Sequence, residues 1–97
     1  MLEKEIPEHL KNTYSLLTRA FPNGVTESQY LHILGILYEH MSDRNLSEIV
    51  SLFTNKSSSV VKNDIYKVKA NNNLLMNKGK TEDILKVYGF MDWINED

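Results

Sequence analysis

TESQYLHILGILYEHM, residues 26–41, decides what kind of fold this chain adopts. Its apolar residues do not alternate. Tyr30, Ile33, Leu34, Leu37 and Met41 recur at steps of three and four, the spacing of one face of an α-helix. The stretch also marks its own start. Thr26 followed three residues later by Gln29 has the form of a capping box, in which the hydroxyl accepts from the Gln29 N–H and the glutamine reaches back to the cap. His32 and His40 are expected on the opposite, solvated face of an amphipathic helix over 27–41.

The same period extends outward in both directions. Ile6, Leu10, Tyr14, Leu17 and Phe21 predict a helix over 7–20 with Pro7 in its first turn, where a missing N–H is harmless. Pro22-Asn23-Gly24 ends it. On the other side, Ser42-Asp43 caps a helix over 44–54 that turns Leu46, Ile49, Val50 and Phe53 inward. Asn55 to Ser59 reads as a loose polar turn, too short to separate domains. Val61, Ile65 and Val68 predict a helix over 61–71, weakened at its end by the triplet Asn71-Asn72-Asn73. Asn77 to Lys80 is a second turn, Thr81-Glu82-Asp83 opens a short helix over 82–88, and Gly89 stands where a C-terminal glycine is wanted. Phe90, Met91, Trp93 and Ile94 are too apolar to leave in water, so the tail should fold back on the core. The expectation is all-α: one compact domain over 1–97, a bundle of about five helices.

Composition narrows the class. With 41% hydrophobic and 25% charged residues the chain is ordinary for a globular protein. It has no cysteine, hence no disulfide and no thiolate metal site. The start, MLEKEIPEHLKN, lacks the apolar core of a secretory signal, and no apolar run approaches the ~20 residues that span a bilayer. A soluble cytoplasmic protein with no membrane partner is the expectation.

Catalytic and metal signatures are missing. There is no glycine-rich phosphate loop and no G-x-S-x-G elbow. The histidines are His9, His32 and His40, and one ion cannot bridge His32 and His40 at ~12 Å along a helix. The paired acids Glu82-Asp83 suit the opening turn of a helix, and Glu96-Asp97 a solvated end. Tyr14 and Tyr30 fall on buried stripes, whereas Tyr38 and Tyr66 fall off them and are the better candidates for a contact surface. No catalytic residue, cofactor or metal is expected.

Charge is unevenly spread. Residues 1–43 sum to −3, residues 44–80 to +5 and residues 81–97 to −4. The basic block overlaps a segment, about 46–69, with the outline of a helix-turn-helix. Val61, Ile65 and Val68 would anchor its second helix, and SVVKNDIYKV resembles the recognition helix of many bacterial regulators. Lys56, Lys62, Asn63, Tyr66, Lys67 and Lys69 would then contact phosphates and bases. Asn55 must replace the usual turn glycine, Ser51 is small enough for close helix approach, Lys56 occupies a position that wants an apolar plug, and Asp64 sits within the would-be recognition helix.

A longer resemblance runs through FPNGVTESQYLHILGILYEHMSDRNLSEIVSLF, residues 21–53. With its aromatic-Pro-x-Gly-Val turn, polar cap and capped third helix, it is similar to domain-of-unknown-function family 3349, small helical proteins best represented in actinobacteria. Asp64-Ile65, Thr81-Glu82-Asp83 and Gly89-Phe90 match the second half of that pattern. About 70 residues are covered. Phe90 stands where that family has tryptophan, no proline follows, and Trp93 comes three positions later. The resemblance implies a bundle of about five helices and carries over no activity.

The functional expectation is therefore a small non-enzymatic binding or regulatory module acting through protein–protein contacts, with itself or another chain. The alternative is nucleic-acid binding, to DNA, through residues 46–69.

Overall fold

The computed structural model describes residues 5–95, the Asn72 side chain excepted. Among the described residues six α-helices run in order: α1 (Lys11–Ala20), α2 (Glu27–Leu37), α3 (Asp43–Thr54), α4 (Ser58–Ala70), α5 (Lys78–Val87) and α6 (Phe90–Ile94). Single 3₁₀ turns occur at Glu8–Leu10 and Asn72–Leu75. There is no strand among the described residues.

Helix α2 forms as its sequence demands. Both halves of the capping box are made: Gln29 N donates to Thr26 Oγ1 at 3.1 Å, and Thr26 N donates to Gln29 Oε1 at 2.9 Å. The helix is not amphipathic, however. Every residue from His32 to Leu37 is buried, which is the mark of a helix enclosed by its neighbours. It lies against α4, α5 and the 72–75 turn, while α1 covers α3, α5 and α6. Gly35 is what lets the 72–75 turn come so close, because a Cβ there would collide with the Leu75 side chain. One continuous core joins Leu16, Leu17, Ile33, Leu37, Ile49, Ile65, Leu85 and Phe90 from all six helices. The radius of gyration, 12.6 Å, is what a compact domain of this length should have.

Enclosure overturns the expectation for His32. It is buried, not solvated, with Nδ1 2.8 Å from Thr81 Oγ1 and Nε2 2.8 Å from the Met76 carbonyl oxygen. Thr81, expected to cap a helix, is instead a buried partner of that histidine. The carbonyl can only accept, so Nε2 carries the proton and donates to it, while the Thr81 hydroxyl, able to donate or accept, meets Nδ1.

Several boundaries also move. The first helix opens as a 3₁₀ turn, because Leu10 sits at φ −115°, ψ 0° and breaks the α pattern. Helix α2 stops at Leu37, with residues 38–41 in turns. The polar turn after α3 is tight rather than loose. Asn55 takes the left-handed conformation at φ 66°, and Ser57 caps α4 by accepting from Val60 N, so Ser58 and Ser59 are already helical. Asn77, also at φ 66°, likewise lets α5 begin at Lys78. Asparagine tolerates this region because its short polar side chain bonds locally.

The tail is structural within its described part. Phe90 is 3% exposed, Trp93 and Ile94 pack on the core, and Trp93 Nε1 donates to Thr13 Oγ1 at 2.9 Å. The Phe90 and Trp93 rings lie nearly parallel, 17° apart, with centroids at 5.8 Å. Met91 is the correction: it is 52% exposed. Gly89, at φ 108°, makes the left-handed turn into α6 as expected. Glu96 and Asp97 lie outside the described residues.

The only tryptophan in the chain therefore reports on tail docking. Native Trp93 emission should be blue-shifted and should redden on unfolding. Trp93→Ala should lower stability by about 2–3 kcal/mol, less than the ~3–5 of a fully buried ring, because Trp93 is only half-buried. A water-like emission maximum in the native protein would contradict the docking.

Candidate functional site

The helix-turn-helix candidate is well built locally. Val61, Ile65 and Val68 are buried, anchoring α4 as expected. Ser51 Oγ donates to the Lys56 carbonyl at 2.6 Å, and Lys56 N donates to Thr54 Oγ1 at 3.3 Å, so the corner is held by side chains on α3. The crossing of the helices is a different matter. Lys69, near the end of α4, binds both oxygens of Asp43, the first residue of α3, at 2.8 and 3.0 Å. Even with both side chains extended, such a pair keeps the Cα atoms within roughly 13 Å. Helices of 12 and 13 residues crossing at a right angle from a shared corner would hold those ends roughly 25 Å apart. The two form a shallow αα-hairpin instead of the steep crossing of DNA-binding helix pairs.

The six candidate residues do not make one basic surface. Lys56 lies 3.7 Å from Glu27 and 4.7 Å above the Tyr30 ring. Lys67 is 3.8 Å from Asp64, and Lys69 lies over Tyr38 at 5.5 Å besides binding Asp43. Only Lys62 of these lysines has no ion-pair partner among the described residues. Asn63 is exposed beside it, and Tyr66, 58% exposed, shares the outer side of α4. Asp64 is partly buried and occupied by Tyr30, whose Oη donates to Oδ2 at 2.6 Å.

Sequence reasoning missed a run of exposed apolar side chains. Val87 is 77% exposed, Met91 52% and Tyr88 42%, all within the segment where α5 passes into α6. The signal was present in the register of α5. Thr81 and Leu85 face the core, and a step of 100° per residue then turns Val87 outward.

A cleft of about 650 Å³ lies between residues 8–13, residues 39–45 and α6. Glu8, His9, Glu39, His40 and Trp93 line it. His40 stands edge-on to Phe90 and Trp93, with centroids 5.9 and 6.0 Å away. Glu8 is bound to Lys11 at 2.8 Å. No hydrogen bond joins either histidine to either glutamate, so the cleft holds acid–base residue types without a coupled pair. Among the described residues no three His, Cys, Asp or Glu side chains are grouped to hold a metal ion, and no helix is long and apolar enough to cross a membrane.

No protein-family model matches the chain, and no curated protein or solved structure is significantly similar to it.

The Tyr30–Asp64 bond has a measurable pH signature. Burial first, then the hydrogen bond to Asp64 and its charge, then the charge of Glu27, push the Tyr30 phenol far above its ordinary range. The unfolded chain ionises Tyr30 near pH ~10, where the folded protein still holds the proton. Above that pH the unfolded state binds fewer protons, so folding stability falls as pH rises. Tyr30→Phe should cost about 1.5 kcal/mol at neutral pH, by removing a hydrogen bond to a charged acceptor. The gap between the two proteins should hold to about pH 9 and shrink above about 10. A constant gap up to pH 11, measured by denaturant melts, would refute the assignment.

Proposed function

We propose that this chain is a small helical module that works by docking on protein through the α5–α6 junction, and that it is not an enzyme. One observation carries the reading. Val87, Tyr88 and Met91, within five residues of sequence, are large apolar side chains left in water, although the same short segment buries Leu85 and Phe90 almost completely. Adjacent exposed apolar groups of this kind mark contact surfaces, whereas single ones do not. The resemblance to domain-of-unknown-function family 3349 agrees with the helical bundle and adds no activity.

Nucleic-acid binding through α4 is the second reading, resting on the exposed trio Lys62, Asn63 and Tyr66. It is the weaker one. Lys56, Lys67 and Lys69 already face acids within the chain, and the shallow hairpin does not present α4 as a recognition helix.

Crosslinking in living cells separates the two. Val87→Glu with Met91→Glu should abolish the crosslinked adducts of the wild-type protein, to itself or to another protein, and leave its circular dichroism unchanged. Lys62→Ala with Lys67→Ala should leave those adducts intact. On duplex DNA the wild type should show no retardation at low salt. Steep salt-dependent retardation, with a log–log slope near −3 that Lys62→Ala and Lys67→Ala reduce by about two, would establish the second reading instead.

A further inference from the structure

The outward face of α5 has an order that is complementary to itself. Met76, two residues before this helix, and Val87, its last residue, are the most exposed large apolar side chains among the described residues, at 68% and 77%. Thr81 and Leu85 face the core, so at 100° per residue Gly79, Lys80, Asp83 and Val87 point away from it. Lys80 and Asp83 are exposed, and neither forms an ion pair with another described residue, although Lys86 and Glu82 on the same helix do. A Cβ on Gly79 would meet no atom of the chain within 4 Å, and half-buried Ile84 borders the face on the other side.

Two pairs on the helix share a single centre, the peptide between Thr81 and Glu82: Gly79 with Ile84, and Lys80 with Asp83. A two-fold axis through that point lays the face on a copy of itself with cation on anion and a branched side chain on bare backbone. A parallel pairing would instead set Lys80 against Lys80 and Asp83 against Asp83, which is repulsive.

The geometry points to a symmetric dimer in which α5 packs antiparallel on the α5 of a second copy of this chain. The inference rests on the reading of the α5–α6 junction as a protein contact face, and it names the partner. One helix of 10 residues, about 15 Å long, covers less than the ~800 Å² per partner of a standard interface. The dimer is therefore a weak and reversible one.

Sedimentation equilibrium on the full chain up to about 1 mM tests this, since a small interface calls for high concentration. The wild type should pass from monomer to dimer. Lys80→Glu and Asp83→Lys should each weaken association by at least about tenfold, since each places like charges together at both symmetry-related contacts. Mixed in equal amounts, the two variants should form a heterodimer within about threefold of wild-type affinity, because every contact is again of opposite sign. Unchanged thermal melts of the single variants show that the fold is intact. A wild type that stays monomeric at the highest concentration overturns the proposal. So do single variants that associate like the wild type, or a mixture that does not recover. If the wild type is monomeric yet Val87→Glu with Met91→Glu still strips adducts in cells, self-pairing falls and docking on a different protein stands.

Discussion

Six consecutive buried residues, His32 to Leu37, leave α2 with no face to give to water, and the rest of the bundle answers that constraint. An enclosed helix needs neighbours around its whole circumference. In a chain of 97 residues these must come from short elements close at hand: α4, α5 and the 3₁₀ turn between them. Gly35 gives the turn room, and Leu75 fills it. The one strongly polar side chain in the run, His32, is tolerable only because both its ring nitrogens are matched. An unmatched buried polar group costs about 1–3 kcal/mol, a sizeable part of a small domain's stability.

The bundle was legible in the sequence where local rules decide. The Thr26–Gln29 box, the Ser42 cap, the Gly89 turn and the stripes of α3 and α4 all follow from nearest-neighbour chemistry. What escaped depends on contacts across the chain. His32 looks solvated in any helical projection of α2, and only Thr81 and the Met76 carbonyl, 49 and 44 positions away, make its burial possible. The serines after Asn55 looked loose because the Ser51–Lys56 bond that tightens the corner is invisible in a pattern of polar residues. Tyr38 and Tyr66, read alike as surface candidates, diverge for the same reason. Lys69 lies over the first, whereas the second is open.

Charge gives the sharpest contrast between segment and surface. A basic block of +5 between acidic flanks suggested an electrostatic face. Folding sets those blocks against each other: Glu27 and Asp43, from the acidic front of the chain, meet Lys56 and Lys69. Exposed ion pairs of this sort contribute only about 0–1 kcal/mol each, so their main effect is to spend the local charge, not to hold the helices. The apolar site at Val87, Tyr88 and Met91 was hidden for the opposite reason. Nothing about valine, tyrosine or methionine in a sequence says that the fold will fail to cover it.

The bond from Trp93 to Thr13 joins positions 80 apart, and it makes the first and last described helices immediate neighbours. The bundle is therefore closed between its first and last described helices. The corner at Pro22-Asn23-Gly24 is exposed, so the chain can be opened there without uncovering the core. Such an architecture is defined by which helices touch, and the direction in which a polypeptide visits them is secondary. A permuted chain that began at that corner and bridged α6 to the 8–10 turn with a short linker would thread the same enclosed α2 and bury the same core.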